Sequence, residues 1–570
     1  MLILGIWDGH DCGAALVESR DTGIDIKAAV NEERFTKRKL EVGFPEKSIE
    51  FCLKDADVKP ADVQNIAITT TDLAKTLTRI FPSLKENYYM FRRRKVEKPL
   101  FVDLRRNFKY WITERKEKPL CRALTKWYFR KHLERMGFKG KDFKLHIVEH
   151  HLAHAAAAAY CSGFDKSTVI TIDGVGDGLS GTVSVCENGR IERLSAIPAR
   201  DSLGIFFEHV TTILGMRELE DEGKVMALAN FAYEIPDDKN KFMNLFEVDG
   251  LQIKSKMSAA GRYKLLSRVA WNTTMEDFAF MAQRTLEVKL LELFKNAIER
   301  TGVGDVCWSG GVASNVKTNM LIKNLPALKR WFVFPHMGDG GLALGAALRV
   351  SYELTGQSKT KFEHVFFGPE HSEEAIKDAL DKQSSTLKFE RIEDIAGHAA
   401  EMVAKDNYVL WFQGKMEYGP RALGNRSIIA PAYSLSAKDA LNLRIKRRDW
   451  FQPFCPSLLE EEADKFFSDV KGYDKFMTMA YQSKLGMKER IKAVINVDGS
   501  ARPQMLGAEN PLYRKMIENV KSLTGDGIVL NTSFNLHGYP IVNTPDDAIE
   551  VMLKNKAPYL ILGNFFVEFK

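Results

Sequence analysis

The stretch STVITIDGVGDGLSGTVSVCENGRIE, residues 167–192, decides the fold class of this chain. Its apolar run at 169–172 predicts a buried strand that ends at Asp173, where a glycine-rich turn follows. The segment TVSV at 182–185 and the turn residues ENGR after it predict a hairpin. This stretch therefore predicts a strand, an acidic glycine-rich turn and further strands.

The first residues of the chain repeat this outline. Residues 2–8 predict a buried strand that leads into a turn with Asp8 and Gly9, and residues 13–18 and 26–31 predict further strands. Long helical patterns follow the second copy, beginning with Met275 to Glu299. Two copies of one such unit predict an internally duplicated α/β fold.

The chain is too long, at 570 residues, for one hydrophobic core. A polar break at 356–361 (GQSKTK) marks the expected domain boundary, because a new α/β pattern begins near residue 370. We therefore expect one domain at 1–360, with a helical basic insertion at about 75–141, and a second domain at 361–570.

Composition excludes several classes of protein. The start of the chain does not resemble a secretory signal, because its apolar part is short and is broken by Asp8 and Asp11. No run approaches the roughly 18 apolar residues of a membrane span. The seven cysteines are scattered without a C-x-x-C pair, which disfavours a disulfide framework or a cysteine zinc site. We therefore expect a cytoplasmic enzyme.

A dense basic segment with interleaved aromatic residues runs from Lys85 to Lys141. The pattern is compatible with a surface for an anionic partner, including nucleic acid. The favoured interpretation is a helical insertion with basic solvated faces and aromatic packing faces, since no nucleic-acid motif accompanies it. An anionic small substrate is the next alternative, and nucleic acid is not the expected partner.

The segment EHHLAHAAAAAY at 149–160 crowds three histidines in front of an alanine run. Alanine has the highest helix propensity, so a helix is predicted. His150 and His154 are four residues apart and share one helix face, as two ligands of one metal ion must. His151 is the alternative partner of His154. Imidazole suits Fe, Zn, Mn or Ni, and the further ligands must come from elsewhere, with carboxylates in turns as candidates.

Glycine-rich turns follow four predicted strands. They are Asp8-Gly9-His10-Asp11, Asp173 to Gly178, Ser309-Gly310-Gly311 and Gly338-Asp339-Gly340-Gly341. Glycine lets the backbone approach a phosphate or sugar, and the helix N-termini after two of these turns can present N–H groups to anions. Together the turns predict an acidic, glycine-lined cleft between two halves, although each alone is compatible with a plain turn.

The C-terminal region contains a dense set of cations among glycines and prolines. The strings GKMEYGPRALGNRSI at 414–428 and LRIKRRDWFQPFCPS at 443–457 contain Arg421, Arg426, Lys446 and Arg448. Arginine forks bind phosphate or carboxylate oxygens bidentately, so a phosphate site is predicted, with a solvated basic loop as the alternative. The string VLNTSFNLHGYPIVNTP at 529–545 adds polar side chains at a strand end, where ligand sites collect in open α/β sheets: Asn531, Thr532, Ser533 and Asn535.

These strings resemble the carbamoyltransferase family, typified by nodulation-factor and antibiotic O-carbamoyltransferases. Further matching strings are NEERFTKRKLEVGFP, LEDEGKVMALA, SGGVASNVKTN and GDGGLALGAAL, in the family's order and over nearly the whole chain. The most specific one is MEYGPRALGNRSI. The resemblance implies an actin-like N-terminal domain and a C-terminal domain similar to threonylcarbamoyl-adenylate synthase.

The resemblance also implies the reaction. The C-terminal site would join carbamoyl phosphate and ATP, with Mg²⁺, into carbamoyl adenylate, and the N-terminal site would pass the carbamoyl group to the hydroxyl of a small-molecule acceptor. A divalent metal at the histidine pair would hold the adenylate, with Fe²⁺ favoured and Zn²⁺ or Mn²⁺ as alternatives. A homodimer is compatible with this assignment.

Site residues follow from the resemblance motif by motif. The implied metal ligands are His150, His154, Asp173 and Asp339. The implied catalytic residues are His10, as base or positioning group, and Lys39. The residues implied to line the adenosine are Gly310, Gly311, Asn315 and Gly340. The residues implied to hold carbamoyl phosphate or the ATP phosphates are Arg421, Arg426, Lys446, Arg448, Arg502 and Ser533.

Two positions depart from the family pattern. Gln452 stands where the family typically has arginine, and Leu40 stands where a histidine is common. Two other functions are compatible with the chain. One is a tRNA-modifying enzyme that transfers a threonylcarbamoyl group, which the string MEYGPRALGNRSI disfavours. The other is a non-catalytic, nucleotide-dependent binding protein on an actin-like scaffold, which would not need a second phosphate site.

Overall fold

The computed structural model describes residues 1–94, 112, 119–139 and 142–570. It divides into unit 1, which contains Met1–Glu32 and Leu40–Phe362, and unit 2, which contains Glu33–Lys39 and Glu363–Lys570. Part of the basic segment expected between Lys85 and Lys141 lies outside the described residues, namely 95–111, 113–118, 140 and 141. None of the helices in the described part of the chain has the length and hydrophobicity that a membrane span requires.

The strands of unit 1 form two five-stranded sheets and a small hairpin. In chain order they are β1 Leu2–Trp7, β2 Gly13–Arg20, β3 Gly23–Asn31, β4 Asn65–Thr69, β5 Lys144–Val148, β6 Lys166–Gly176, β7 Leu179–Glu187, β8 Arg190–Pro198, β9 Phe246–Asp249, β10 Gln252–Ser255, β11 Asp305–Ser309 and β12 Arg330–Val333. The hairpin is β9 with β10.

The two sheets have the same topology. The first has the order β3-β2-β1-β4-β5, and the second has the order β8-β7-β6-β11-β12. In each, three strands form an antiparallel meander, and the first of them pairs in parallel with a later strand, β1 with β4 and β6 with β11. The internally duplicated α/β fold predicted from the sequence is therefore confirmed.

The predicted turn directly after Asp173 is wrong. Strand β6 continues to Gly176, with an irregular register between Ile172 and Gly176, and the chain reverses at 177–178 instead. Glycine tolerates extended backbone as well as turns, so a glycine-rich string does not locate the reversal. The carboxylate of Asp173 is consequently presented from within a strand.

The helices begin with one short turn that belongs to unit 2, α1 Glu33–Thr36. Those of unit 1 are α2 Glu46–Asp55, α3 Leu73–Ile80, α4 Pro82–Arg92, α5 Pro119–Arg135, α6 His150–Cys161, α7 Leu203–Ile213, α8 Glu222–Leu228, α9 Ala259–Ala270, α10 Met275–Thr301, α11 Val316–Lys323 and α12 Leu342–Thr355.

Helices α6 and α12 pack against each other between the two sheets, α12 on β1, β2 and β4 and α6 on β6 and β11. Their sequences are rich in alanine, leucine and glycine, and nearly every residue facing these contacts is buried. A Cβ atom at Gly345 would lie 2.1 Å from the carbonyl oxygen of Ala153, so only glycine permits this approach. The close packing fixes α6, which carries the clustered histidines, relative to both sheets.

A buried ion pair joins the first strand to helix α3. Arg79 donates from Nε and Nη2 to the two carboxylate oxygens of Asp8, at 2.9 and 2.8 Å, and both side chains are fully buried. Nζ of Lys75 lies 3.2 Å from the same carboxylate. Asp8, which the sequence placed in an acidic turn, is thus engaged in a fork that holds α3 on the sheet.

We expect Asp8→Asn to destabilise unit 1 by about 3–5 kcal/mol, because it leaves a buried guanidinium without its counter-charge. Guanidinium chloride unfolding, followed by circular dichroism, measures the change. Asp25→Asn is the matched control, since Asp25 is half exposed and forms only long ion pairs with Arg20 and Lys27; we expect it to change stability by less than about 0.5 kcal/mol. Equal unfolding midpoints for the two variants would contradict this role of Asp8.

Unit 2 is built on an eight-stranded mixed sheet of order β13-β22-β21-β14-β15-β20-β16-β19. Its strands in chain order, including the separate pair β17 and β18, are β13 Leu387–Arg391, β14 Val409–Phe412, β15 Arg426–Pro431, β16 Cys455–Leu459, β17 Tyr481–Gln482, β18 Ser500–Ala501, β19 Gln504–Leu506, β20 Ile528–Ser533, β21 Tyr559–Leu562 and β22 Phe565–Phe569.

The other helices of unit 2 are α13 Glu373–Asp381, α14 Ile395–Ala404, α15 Leu435–Ala440, α16 Ala463–Phe466, α17 Pro511–Thr524 and α18 Pro545–Asn555. Helices α14 and α17 pack on each other and cover one hydrophobic core with strand residues such as Trp411, Val529 and Ile561. This core supports the connections between the central strands, where the cations of unit 2 lie.

Candidate active sites

Helix α6 presents two histidines to the interior of unit 1. It begins at His150 because the carboxylate of Glu149 caps its first turn by accepting from the N–H of Leu152, and the alanines that follow favour helix. His150 and His154 lie on one face, with ring centroids 4.9 Å apart. Both rings are almost completely buried.

Two carboxylates, one from a strand and one from a turn, lie close to these rings. Nε2 of His150 lies 3.2 Å from Asp173 and 3.6 Å from Asp339, and Nε2 of His154 lies 3.4 and 3.6 Å from the same two carboxylates. One ligand atom from each of the four residues falls within 4.8 Å of all the others. Asp173 belongs to β6, and Asp339 to the turn before α12. The four residues therefore form a possible metal site.

The chemistry of these donors fits a divalent metal. Nδ1 of His150 lies 3.1 Å from the hydroxyl of Thr70, and Nδ1 of His154 lies 3.3 Å from the hydroxyl of Ser309. These contacts orient each ring so that Nε2 faces the carboxylates, as outer groups do around metal-bound histidines. The buried Nε2 of His154 has no hydrogen-bond partner of good geometry among the described residues. A cation between the four groups would satisfy it.

The electrostatics of the cluster follow from its burial. Burial alone lowers the pKa of a histidine, but the nearby carboxylates of Asp339 and Asp173 outweigh it and raise the pKa of His150 to about 9. The same histidines, against the effect of burial, hold the pKa of Asp173 well below its usual range. The carboxylate of Asp173 is therefore charged and available to a cation.

His10 lies at the edge of this cluster. Its Nδ1 is 3.6 Å from Asp339 and 3.3 Å from the hydroxyl of Tyr89 in α4. Burial lowers the pKa of His10, although Asp339 opposes the effect. The ring is therefore neutral near pH 7 and can accept a proton or orient a hydroxyl group.

The glycines implied to contact a nucleotide lie beside the same cluster. The N–H of Gly311 donates to Asp173 at 3.0 Å, and Gly340 follows Asp339 directly. Gly310 has φ of +102°, which favours glycine, and its N–H donates to the carbonyl of Met337. Asn315 is buried and caps α11 by accepting from the N–H of Thr318.

The alternative ligand His151 is not part of the four-residue cluster. Its Nδ1 lies 3.0 Å from the hydroxyl of Thr171, on the neighbouring strand. Burial and the charge of His150 lower the pKa of His151 to about 3. It is a neutral packing residue of the helix, and only the pair four residues apart meets the carboxylates.

In unit 2 the loop between β14 and β15 carries Arg421. One carboxylate oxygen of the buried Glu417 accepts from the N–H groups of Leu423, Asn425 and Arg426 at 2.8, 2.9 and 3.1 Å. Carbonyls of the same loop accept from the side chains of Trp411, Gln504 and Asn531. These bonds preorganise the loop, so little ordering is needed when Arg421 binds a ligand.

Three guanidinium groups gather around the side chain of Cys455. Arg502 donates to its Sγ at 3.0 Å, Arg448 donates to the hydroxyl of Thr532 at 3.4 Å, and each of the two interacts electrostatically with Arg421. The buried Nε–H groups of Arg421 and Arg502 have no hydrogen-bond partner among the described residues. The cluster thus offers unused donors to an anion.

Lys446 extends this cationic region. Its ammonium donates to the backbone carbonyl of Ser533, to the Ser533 hydroxyl at 3.2 Å and to Asn535 at 2.6 Å. Burial, with the charges of Arg448 and Lys39, lowers the pKa of Lys446 well below its usual value. Lys39 belongs to unit 2, as Lys446 does, whereas His10 belongs to unit 1.

Arg426 differs from the other predicted phosphate ligands. Its guanidinium is fully buried and donates to the backbone carbonyls of Gln413, Gly414, Asn425 and Pro369. It also stacks 3.6 Å from the ring centroid of Phe412. These contacts fix the loop ends, and they separate Arg426 from the cluster of Arg421, Arg448 and Arg502. The sequence pattern alone could not distinguish a structural arginine from a ligand-facing one.

The residues missed from the sequence are those that hold the site residues in place. In unit 1 these are Tyr89, Thr70 and Ser309, and in unit 2 Glu417 and Asn535. Ser309, Glu417 and Asn535 lay in strings that the sequence had singled out, and Tyr89 lay in the basic segment, but the sequence did not assign this supporting role to any of them. Gln452, at the departure from the family pattern, uses its backbone N–H to bond the carbonyl of Asp449.

Comparison with known proteins identifies the family. Residues 2–348 match the family described as Carbamoyltransferase N-terminus, and residues 400–568 match Carbamoyltransferase C-terminus. The chain is 32% identical to nodulation protein NolNO of Sinorhizobium fredii over 98% of this chain and 79% of that protein. It is 29% identical to the 3'-hydroxymethylcephem-O-carbamoyltransferase of Streptomyces clavuligerus over 61% of this chain and 65% of that enzyme.

Similar solved structures are more distant. Component A of the (R)-2-hydroxyglutaryl-CoA dehydratase of Acidaminococcus fermentans has 17% identity and a TM-score of 0.34, covering 63% of this chain and 100% of that one. HypF of T. kodakarensis has 16% identity and a TM-score of 0.33, covering 63% of this chain and 48% of that one. The two family matches together span most of the chain, and the expected resemblance is confirmed. The chain belongs to the carbamoyltransferase family.

Proposed function

We propose that unit 2 of this transferase makes carbamoyl adenylate from carbamoyl phosphate, ATP and one water molecule, with release of orthophosphate and pyrophosphate. Unit 1 would then transfer the carbamoyl group to the hydroxyl of a small-molecule acceptor, with release of AMP. One relative is named as an O-carbamoyltransferase, which supports a hydroxyl acceptor. We also propose that unit 1 has an actin-like fold, supported by its duplicated sheet, and that unit 2 is similar to threonylcarbamoyl-adenylate synthase. Free thiols at all seven cysteines support a cytoplasmic location.

The mutual repulsion of cations in unit 2 carries this assignment. Burial and the charge of Arg502 lower the pKa of Arg421 to about 9, and burial, again with Arg502, lowers the pKa of Arg448 to about 10. Cations that destabilise one another in a preorganised pocket are stabilised when an anion binds. Carbamoyl phosphate and the triphosphate of ATP are anions whose oxygens match the arginine fork.

The activation site consists of the cations that the structure brings together. Arg421, Arg448 and Arg502 would bind phosphate oxygens, and the Ser533 hydroxyl with the ammonium groups of Lys446 and Lys39 would extend the site along ATP, which enters with Mg²⁺. Once carbamoyl adenylate has formed, water must be kept from its carbamoyl group. The polar groups of the loop are already hydrogen-bonded to one another, so few of them remain to bind water there. Arg426 would act by fixing the loop.

The transfer site uses the cluster in unit 1. His150, His154, Asp173 and Asp339 would hold a divalent metal, with Fe²⁺ favoured and Zn²⁺ or Mn²⁺ as alternatives. Such a metal supplies charge neutralisation and polarises a carbonyl group. His10 would accept the proton of the acceptor hydroxyl or orient it, and a neutral imidazole suits both roles. The residues Gly310, Gly311, Asn315 and Gly340 would contact the adenosine.

The activation step is tested by pyrophosphate release. We expect the protein, with ATP and Mg²⁺, to release pyrophosphate only when carbamoyl phosphate is present, because the cations bind it and hold it near the ATP phosphates. A coupled pyrophosphate assay measures the rate, and mass spectrometry of the quenched reaction detects carbamoyl adenylate. Hydroxylated acceptors are then screened for a mass increase of one carbamoyl group.

The alternatives give different outcomes in the same assay. Pyrophosphate release with threonine and bicarbonate, in place of carbamoyl phosphate, would indicate a threonylcarbamoyl-transferring enzyme. Nucleotide binding without pyrophosphate release under either condition would indicate a nucleotide-dependent binding protein. Omitting carbamoyl phosphate is the matched control for each reaction.

A further inference from the structure

We propose that helix α5 of unit 1 binds the surface of an anionic phospholipid membrane, with Leu120 and Trp127 entering the headgroup layer. The helix contains five lysines and arginines and a single acidic residue, Glu134. No residue of this helix belongs to the matching motif strings or to the assigned site residues. Two of its large apolar residues, Leu120 and Trp127, are exposed and do not belong to its packing side.

One side of α5 accounts for its packing on unit 1. Successive helical residues are about 100° apart, and the buried residues fall on one side: Cys121, Thr125, Tyr128, Phe129 and Leu133. The hydroxyl of Thr125 accepts from Arg79 at 3.0 Å, and the Arg79 guanidinium lies 5.1 Å from the ring centroid of Phe129. Because Arg79 is locked to Asp8, this side holds the helix rigidly on the sheet.

The opposite side of α5 carries two large apolar side chains. Leu120 is 68% exposed and Trp127 is 54% exposed, and their spacing of seven residues places them almost in line along the outermost ridge of the helix. A large part of both side chains therefore remains exposed to solvent. They would bury it by entering a bilayer interface, where the indole ring is favoured.

Cations flank this apolar ridge on both sides. Lys126 and Arg130 lie on one side, and Lys131 and Arg135 lie on the other, all with exposed side chains. Nζ of Lys131 lies 5.2 Å from the ring centroid of Trp127. Lysine and arginine near a membrane surface are attracted by anionic headgroups while their alkyl stems remain against apolar surface. The arrangement matches a helix that lies in the interface plane.

A membrane fits these features better than nucleic acid does. Cations alone would suit the phosphates of either partner. The outermost positions of the helix, however, are occupied by Leu120 and Trp127, and a protruding leucine adds nothing to phosphate contacts on a duplex. Anionic lipid is the partner that uses both the charges and the apolar ridge.

Vesicle binding by the full-length protein tests this surface. We expect co-sedimentation with vesicles of equal parts phosphatidylcholine and phosphatidylglycerol, none with pure phosphatidylcholine, and weaker binding at higher salt. Both Trp127→Ala and the double variant Lys131→Glu/Arg135→Glu should lower the partition coefficient at least about tenfold. Their melting temperatures should match that of the unmodified protein, because the altered side chains are exposed.

Matched controls lie on another helix of the same unit. Trp271, which is 89% exposed, follows α9, and the exposed Lys264 and Arg268 in α9 have the same four-residue spacing as Lys131 and Arg135. Trp271→Ala and Lys264→Glu/Arg268→Glu should bind vesicles as the unmodified protein does. An equal loss of binding in the controls would overturn the assignment to α5, because it would reflect net charge alone.

Fluorescence gives a second measurement that does not require a destabilising variant. Phospholipids with brominated acyl chains should quench part of the tryptophan emission, and that part should be lost in Trp127→Phe. No sedimentation with anionic vesicles would refute membrane binding. A second outcome would overturn the assignment of lipid as the partner. In that case an RNA oligonucleotide displaces the protein from vesicles and binds Trp127→Ala with unchanged affinity, which would identify nucleic acid as the partner.

Discussion

Replacing Arg421 by alanine is expected to lower carbamoyl-phosphate-dependent pyrophosphate release by about 10²–10³-fold, while bound metal stays at the level of the unmodified protein. Arg421 is held by a loop whose N–H groups converge on Glu417, and its Nε–H is buried without a partner among the described residues. Its guanidinium would therefore need little rearrangement to bind an anionic substrate. Steady-state pyrophosphate assays and metal analysis of the same preparation measure both parts of the prediction.

Two variants sharpen this test. Arg421→Lys keeps the charge but loses the two-pronged geometry, and we expect an intermediate rate. Arg391→Ala removes an exposed arginine of unit 2 that pairs with Glu373, and it should retain the full rate. Adenylate formation by Arg421→Ala at the rate of the unmodified protein would show that activation does not occur in unit 2.

Replacing His154 by alanine should impair metal binding and carbamoyl transfer in unit 1 and leave the reaction of unit 2 intact. We expect bound metal to weaken at least about 100-fold and carbamoyl transfer to be lost, whereas adenylate formation continues in unit 2. The imidazole of His154 faces both carboxylates of the cluster, and alanine at this position offers no replacement ligand. Metal content by mass spectrometry, calorimetric titration with Fe²⁺ and Zn²⁺, and transfer assays with an acceptor identified by screening measure the three effects.

His151→Gln is the matched control for His154→Ala, because His151 occupies the same helix but contacts Thr171 and lies outside the metal-binding cluster. It should keep bound metal and transfer. Loss of metal from both variants to the same extent would indicate general damage to α6, and full transfer by metal-free His154→Ala would refute a role of the metal in this unit.

The sequence alone predicted those helices that are determined by the residues within them. The alanine-rich helix after Glu149 and the long helix from Met275 were confirmed, because periodicity and propensity act within each segment. The duplicated fold was also visible, since two strand-and-turn patterns recur. The end of β6 was not, because the glycines after Asp173 permit both turn and strand.

The candidate sites depended on contacts that local sequence does not encode. The pairing of His150 with His154 follows from helix geometry, but their meeting with Asp339 requires the packing of α12 between the sheets. Likewise, Arg426 and Arg421 are five residues apart in one string, yet one binds backbone carbonyls and the other faces the cation cluster. No periodic pattern predicted that Tyr89 would reach His10.

The segment Glu33–Lys39 packs in unit 2, where Arg34 donates to the carbonyl of Gly419 and Lys37 pairs with Asp547. The polypeptide consequently passes between the units three times, at 32–33, 39–40 and 362–363. A fragment expressed from residue 363 onward lacks the ammonium groups of Lys37 and Lys39. It also lacks the hydrogen bond from Arg34 to the loop that carries Arg421. Such a truncated protein would therefore show less activity than unit 2 has in the full chain. After cleavage near residue 362, the two pieces would still be held together by the contacts of residues 33–39 with unit 2.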